Sequence, residues 1–180
     1  MTCIVVGIGA DGMAGLSENS LRELRSATAI YGSPRQLDLL DDTVAAPRHP
    51  WPTPMLPALE KLPVDEDIHV VASGDPLLHG IGGTLIRLYG AERVVVLPHV
   101  SSVNLACARM GWTVSDTEVI SLVTAPVHMA IRRGGHAVVL SRDASSAAEL
   151  ATALTETGRG ASEFTVLEQL DGVMERIRSG

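Results

Sequence analysis

The sequence has 180 residues, of which 46% are apolar and only 3% are aromatic. This length is enough for one large or two small domains, and a core of Val, Leu, Ile and Ala is typical of a buried parallel sheet covered by helices. The net charge of −7 includes no block of Lys or Arg, which disfavours nucleic-acid binding. Cys3 and Cys107 have no metal-ligand spacing, and the sequence shows neither a membrane-spanning run nor a signal peptide. We therefore expect a cytoplasmic protein with reduced thiols.

The first part of the chain alternates strand and helix patterns, which predicts a parallel α/β sheet. Ser17 is placed to cap a first helix whose apolar face carries Leu21 and Leu24. The Pro-rich stretch 43–63 favours an extended loop, with at most a short helix at 55–61. A later helix, SSVNLACARMG, ends at Gly111. The predicted strands are, in order, TCIVVGI, ATAIYGS, DIHVVASG and ERVVVLP.

The pattern changes after Gly111, and we place a domain boundary near residues 113–117. Three further strands are predicted in DTEVISLVTAP, GGHAVVLSR and EFTVLEQL, with a helix over SAAELATALTETG. The predicted organisation is an N-terminal parallel α/β domain at 1–113 and a C-terminal α/β domain, incomplete in strands, at 114–180.

Gly7, Gly9 and Gly12 form a G-x-G-x-x-G pattern directly after the first strand. In dinucleotide-binding proteins such glycines allow close approach of a phosphate, and an acid at the end of the second strand binds the ribose. That acid is missing near Tyr31, and the helix begins late, at about Ser17. A structural turn or a site for a different ligand therefore competes with nicotinamide or flavin binding.

A second candidate site lies at Gly74-Asp75-Pro76, which ends a buried strand. Ligands of open α/β sheets bind at this edge, and Asp75 cannot be helical before Pro76. Ser101 and Ser102 follow the next strand, where one of them is expected to cap the helix. The loops also carry His79 and His99, which are placed to touch a ligand. The alternative for the whole turn is a structural connection with Asp75 as a helix cap.

The six histidines include no pair at i, i+4 spacing, so a zinc or other metal site is not predicted. His69 lies within a predicted strand, and we interpret it as structural.

Taken together, these stretches resemble the tetrapyrrole methylase family, and the resemblance covers nearly the whole chain. The residues that carry it are VVGIGADG, YGSPRQL, VVASGDPLLHGIGGTL, VLPHVSSVNLACARMGW, DTEVISL and FTVLEQLDGVMER. Within the family the chain is most similar to the precorrin-6Y methyltransferase branch of cobalamin biosynthesis. The resemblance implies two α/β domains with the methyl-donor site in the cleft between them.

The resemblance also implies roles for individual residues. The donor would be S-adenosyl-L-methionine, and the substrate a precorrin methylated at ring carbon 5. Catalytic residues are not identified. The residues implied for the donor are Gly9, Ala10, Ser73, Gly74, Asp75, Leu78, Ser101, Ser102, Leu140, Ser141 and Leu170. The candidates for binding a carboxylate-rich substrate are Arg35, His79, His99, Arg109 and the pair Arg132–Arg133.

The chain departs from the family in places. Ala10 stands where Pro is frequent, His99 where Gly is frequent, and SLVTAP where the branch often has His-Gly-Arg. Family members are commonly homodimers, and related proteins often carry a second half for another methylation and a decarboxylation. Three alternatives remain at this point: a non-catalytic domain that binds donor or precorrin for a partner enzyme, a methylase of the same fold for another substrate, and a dinucleotide oxidoreductase.

Overall fold

The computed structural model describes residues 2–63, 66–131 and 135–180. The chain falls into two compact units. The first comprises Met1–Ser101 and Asp171–Val173, and the second comprises Ser102–Leu170 and Met174–Gly180. Strands and helices alternate along the chain, which confirms the predicted α/β class. The predicted domain division at 113/114 stays a prediction.

The first unit contains a five-stranded sheet in the order β3-β2-β4-β1-β5, with every strand pair parallel. Four of these strands coincide with predicted ones. The fifth, β3, lies in the Pro-rich stretch that was predicted as an extended loop. It is short and exposed, so its sequence carries no apolar strand signal. The strands are β1 Cys3–Ile8, β2 Ile30–Gly32, β3 Arg48–Pro50, β4 Ile68–Ser73 and β5 Val94–Leu97.

Both faces of this sheet are buried, which explains why β1 and β4 are almost continuously apolar. On one face Val5 and Val70 pack with Leu85. On the other face Val6 packs with Leu24. Burying an aliphatic side chain of this size stabilises a fold by about 1.5–3 kcal/mol, so the two clusters hold the strand ends firmly in place. The helices are α1 Glu18–Ser26, α2 Pro34–Leu37, α3 Leu56–Leu59 and α4 Ile81–Tyr89.

Two predictions about side chains in this unit are confirmed. Ser17 is the N-cap of α1, and its hydroxyl oxygen accepts a hydrogen bond from the backbone nitrogen of Ser20 at 3.2 Å. His69 is a buried residue of β4, and its Nε2 lies 3.4 Å from the carboxylate of Glu23. His69 therefore packs inside the unit, away from the carboxyl ends of the strands.

The described strands of the second unit form two small sheets. Strands β6 and β7 pair in parallel, and β8 pairs with β9 in antiparallel fashion. Strand β9 was not predicted, because its alternating Arg-Ile-Arg-Ser sequence is exposed throughout. The elements are α5 Ser102–Met110, β6 Thr117–Ser121, β7 His136–Leu140, α6 Ser146–Glu156, β8 Thr165–Glu168 and β9 Arg176–Ser179.

Both cysteines are buried and free, and burial raises the pKa of the Cys3 thiol to about 11. A thiol with so high a pKa stays protonated and unreactive near neutral pH. No helix among the described residues is long and apolar enough to cross a bilayer.

Candidate functional site

The carboxyl ends of β1, β4 and β5 meet at one edge of the first unit, where main-chain hydrogen bonds join them. Ile8 and Ser73 are partners at the ends of β1 and β4. The backbone nitrogen of Gly74 donates to the carbonyl of Ile8 at 2.9 Å, and that of His99 donates to the carbonyl of Gly74 at 3.2 Å. This edge brings together most of the donor residues predicted in the first unit.

Gly7 shows how closely the three segments approach. A Cβ atom at this position would overlap the carbonyl oxygen of Gly74 and lie 2.7 Å from the backbone nitrogen of His99. Both obstacles are main chain, which cannot rotate away as a side chain can. Gly74 itself has a φ of +52°, in the left-handed region that favours glycine. The edge therefore consists of bare backbone, as the glycine-rich sequence predicted.

The Gly-Asp-Pro turn is closed by its own hydrogen bonds. The Asp75 side chain accepts from the backbone nitrogen of Leu77 at 2.9 Å, and the Asp75 carbonyl accepts from Leu78 at 3.1 Å. His79 follows with a φ of +53°, which is uncommon for a residue with a Cβ. Strained backbone of this kind clusters at ligand sites, so the turn has both an internal scaffold and a strained tip.

A half-buried pair that was not predicted, Asp11 and His99, links the first turn to the segment after β5. The His99 side chain is only 8% exposed, and its Nε2 lies 3.1 Å from the Gly15 carbonyl and 3.4 Å from Asp11 Oδ2. Asp11 Oδ1 is buried without a hydrogen-bond partner among the described residues. Gly9 and Gly15 leave room for this pair, because a Cβ on Gly15 would overlap the Asp11 carboxylate. His99, predicted to touch substrate, here packs against the first turn.

A second unpredicted contact fixes the end of β4. Gln36 Nε2 donates to the hydroxyl of Ser73 at 2.7 Å, and the hydroxyl of Ser33 donates to Gln36 Oε1. Gln36 lies on α2, directly after the predicted Arg35, which is exposed. The sequence could have indicated this contact only through position, because residues 33–36 directly follow β2 and so lie at the carboxyl edge of the sheet.

Residues 171–173 belong to the first unit although they lie far along the chain. A Cβ on Gly172 would lie 2.8 Å from both the Cβ and the carbonyl oxygen of Ala10, so the two segments are in close contact. Asp171 has a φ of +66°. The predicted donor residue Ala10 is thus covered by a glycine that the sequence did not single out.

The second unit carries the remaining predicted donor residues. Ser102 begins α5, and Leu140 ends β7 as the partner of Ser121. Ser141 follows β7 and is exposed, while Leu170 lies half-buried between β8 and β9. Their places in the elements of this unit are clear, and their role in donor binding stays a prediction.

The arginines predicted to anchor substrate differ in their surroundings. Arg109 forms a bidentate ion pair with Glu175, with Nε 2.6 Å from Oε1 and Nη2 2.8 Å from Oε2. A fork-to-fork pair of this kind is among the stronger side-chain contacts. Arg132 and Arg133 lie outside the described residues. Among the described residues, no group of three or more His, Cys, Asp and Glu side chains could hold a metal ion.

A charged network surrounds the loop after β7. Arg142 lies 3.1 Å from both the Asp143 and the Glu149 carboxylates, and the buried Ser146 hydroxyl accepts from the backbone nitrogens of residues 142 and 143. Hydrogen bonds from Ser145 and from Arg142 lower the pKa of Asp143 to about 2. This loop is held by side chains, in contrast to the main-chain edge of the first unit.

Comparison with known proteins shows to which family the chain is similar. A sequence profile of the family described as Tetrapyrrole (Corrin/Porphyrin) Methylases matches residues 2–178. A curated protein of Mycobacterium tuberculosis (strain CDC 1551 / Oshkosh), named precorrin-6Y C(5,15)-methyltransferase [decarboxylating], is 70% identical over 178 residues. The match covers 98% of this chain and 46% of that protein. The chain thus spans about half the length of the curated relatives it matches first.

Two solved structures share the fold. The cobalamin biosynthesis precorrin-6Y methylase of Archaeoglobus fulgidus superposes with a TM-score of 0.72 at 22% identity, covering 99% of this chain and 88% of that one. The uroporphyrin-III C-methyl transferase of Thermus thermophilus, complexed with S-adenyl homocysteine, gives 0.70 at 18% identity, covering 100% and 83%. At these identities the likeness establishes the fold.

Proposed function

Because the chain belongs to the tetrapyrrole methylase family, as its sequence predicted, we propose that it is an S-adenosylmethionine-dependent methyltransferase acting on a precorrin. The observation that carries the proposal is the backbone-lined edge at Gly7, Gly74 and His99, in a chain 70% identical to a named precorrin-6Y methyltransferase. We assign it the first of that protein's two methylations, at ring carbon 5.

The residues at this edge fit such a donor. Because Gly7 has no side chain, the backbone of Gly74 and His99 packs directly against the end of β1, and the edge offers main-chain groups to a ligand. The Asp75 turn is held by its own hydrogen bonds before any ligand arrives. Leu78 supplies a half-buried apolar surface, and Ser73 supplies a hydroxyl. A site composed in this way suits a ligand that combines an apolar part with several hydrogen-bonding groups.

The chemistry requires alignment more than proton transfer. The bound donor supplies an electrophilic methyl group. The chain's own residues hold the reacting partners in line, and such positioning contributes roughly 7–11 kcal/mol in the best cases. The fixed main chain of this edge is suited to that task, because no side-chain rotamer has to be frozen when the ligand binds.

We include further points in the proposal. Arg35 and His79 contact the carboxylate arms of the precorrin, and Arg109 does so once Glu175 releases it. Ser102, Leu140, Ser141 and Leu170 contribute to donor binding, and the chain divides functionally at 113/114. The protein works in the cytoplasm as a homodimer, and a second methyltransferase and decarboxylase, on the same or another polypeptide, completes the reaction series.

Calorimetric titration with S-adenosylhomocysteine and with NAD tests the donor assignment. We expect a dissociation constant near or below about 1 μM for the first, roughly −8 kcal/mol, and no binding of the second. Saturable NAD binding without a response to S-adenosylhomocysteine would overturn it. Transfer of a labelled methyl group to a precorrin distinguishes the enzyme from a non-catalytic binding domain. Such a domain would bind the donor and the precorrin without transferring the methyl group.

A further inference from the structure

An aromatic cleft of about 290 Å³ lies beside the edge strand β3, outside the donor edge. Tyr31 stacks on His49 with ring centroids 4.9 Å apart, and on Trp51 with centroids 5.5 Å apart. The chain has only two Tyr, two Trp and one Phe, so this concentration of rings is unusual for the molecule. Pro50, Pro52, Ala58, Lys61, Leu62 and Pro63 complete the lining.

The walls of this cleft are fixed. The backbone nitrogen of Trp51 donates to the carbonyl of Gly32 at 2.9 Å, which continues the pairing of β3 with β2. Opposite, Leu59 and Leu62 are buried in the core, and the Tyr89 hydroxyl donates to the carbonyl of Leu59. The cleft is therefore formed in advance, as is usual for small-molecule sites.

The polar groups of the cleft can donate to a ligand. The Tyr31 hydroxyl, the His49 imidazole and the Lys61 ammonium make no hydrogen bond to another described residue. Among the residues that the structure describes, no Asp or Glu lines the cleft, although the sequence has 21 acidic and 14 basic residues. Lys61 is also the single lysine of the sequence. Flat rings thus lie beside a cation and two further donors, and this combination favours a flat ligand with a negative charge.

We propose that this cleft binds a flat unsaturated ring that carries a carboxylate arm, with the ring against Trp51 and His49 and the arm on Lys61. The volume is at the lower limit of ligand sites, about 300 Å³, so one ring fits and a whole macrocycle does not. Two sources share this chemistry: one ring of a tetrapyrrole, or a free monocyclic aromatic acid.

The position of the cleft favours the tetrapyrrole, and this identification rests on the proposed function. Only β2 separates β3 from β4. At about 4.8 Å between neighbouring strands, the cleft is about 10 Å along the sheet from the Asp75 turn. The cleft would then hold an outer ring of the substrate and so determine which carbon of the macrocycle faces the methyl donor.

Trp51 fluorescence measures binding directly in the Trp112→Phe variant, where Trp51 is the remaining tryptophan. The probes are porphobilinogen, which is a single pyrrole with two carboxylate arms, uroporphyrin, and unsubstituted pyrrole. We expect saturable quenching by both acids and, for pyrrole, at least about tenfold weaker binding. Tighter binding of uroporphyrin indicates the tetrapyrrole as the source, and equal or tighter binding of porphobilinogen indicates the free acid. No saturable response to either acid would overturn the proposal.

Lys61→Gln and the matched control Arg93→Gln separate a local contact from a general loss of positive charge. Arg93 is exposed and does not line the cleft. We expect Lys61→Gln to weaken porphobilinogen binding by about fivefold and Arg93→Gln to leave it unchanged. Equal effects of the two variants would refute a contact with Lys61.

The single lysine offers a second readout that needs no variant. Acetylation of Lys61, followed by mass spectrometry, should slow at saturating porphobilinogen, while acetylation of the α-amino group continues at its usual rate. An unchanged rate at Lys61 would count against the cleft. S-adenosylhomocysteine affinity, measured on the same proteins, should be unaffected by Lys61→Gln. If none of these proteins bound S-adenosylhomocysteine while the cleft still bound porphobilinogen, the proposed function would be refuted and the cleft proposal would stand.

Discussion

The carboxyl ends of β1 and β4 in the first unit are crowded by main chain, whereas the carboxyl end of β7 in the second is surrounded by charged side chains. Gly7 admits no Cβ because the backbone of Gly74 and His99 occupies the space. After β7, by contrast, Arg142 and Asp143 are exposed and hold the loop through ion pairs and hydroxyls. A main-chain edge tolerates few substitutions and is insensitive to pH and salt. A charged loop has the opposite properties, since exposed ion pairs are weak and screened.

The two units also differ in how much of their sheets is buried. The five-stranded sheet is buried on both faces by two apolar clusters. In the second unit the strands that the structure describes form two sheets of two strands each, and β9 is exposed along its whole length. Small sheets of this kind have little independent stability in water. We therefore expect the first unit to determine the stability of the molecule.

Gly7→Ala is expected to have the largest effect. The new methyl group would overlap the carbonyl of Gly74, and the strand ends would have to separate, at a cost of about 3 kcal/mol in the free energy of unfolding. Urea unfolding measures this. The matched control is Gly83→Ala in α4, whose Cβ would meet only Arg87 Nη1 at 3.7 Å and which should stabilise by about 0.5–1 kcal/mol. Equal stability of the two variants would show that the edge is loosely packed.

Asp75→Ala should weaken S-adenosylhomocysteine binding at least about tenfold, or 1.4 kcal/mol, while the protein stays folded. The variant removes the acceptor for the backbone nitrogen of Leu77 and so loosens the turn. Asp75→Asn keeps an oxygen for that bond and should retain most of the affinity if the turn geometry is what matters. Calorimetry with circular dichroism as a folding control decides, and an unchanged affinity in Asp75→Ala would mean that the turn is only structural.

Hydrogen exchange should be several-fold faster over residues 118–180 than over residues 1–112 in the ligand-free protein. The reason is that the sheets of the second unit are small, and that β9 has an edge at which a partner strand could pair. Light scattering should report a homodimer. A monomer in which both stretches exchange equally slowly would contradict both expectations.

The smallest effect is expected on acidification. Because the pKa of Asp143 is about 2, lowered first by Ser145 and then by Arg142, its folded form favours the charged carboxylate. This contribution is complete above the ordinary value of 3.8 and is lost as the pH falls towards 2. The protection of the amides at the start of α6, measured relative to the intrinsic exchange rate at each pH, should therefore fall between about pH 4 and 2, and Asp143→Ala should abolish that change. An equal loss of protection in the variant would assign the transition to another group.

The sequence predicted most of the first unit because its signals are local. Apolar β-branched runs that end in glycine or proline define β1, β4 and β5, and Ser17 marks the start of α1. Strands β3 and β9 were not predicted, since each is exposed and acquires its structure only by pairing with a neighbour. Two contacts at the candidate site were not predicted for the same reason, because each depends on pairing between distant segments. Asp11 meets His99, and Gln36 meets Ser73, across long sequence separations that only the strand order fixes.

The contact of Gly172 with Ala10 has a consequence for how the molecule forms on the ribosome. The two residues belong to one compact unit, yet almost the whole sequence is translated between them. Folding during synthesis generally starts with the N-terminal part, so the sheet can assemble while the first turn still lacks its cover. Ala10 would be enclosed only after residues 171–173 have been synthesised. A nascent chain stalled before residue 171 should therefore hold a native sheet with an open first turn.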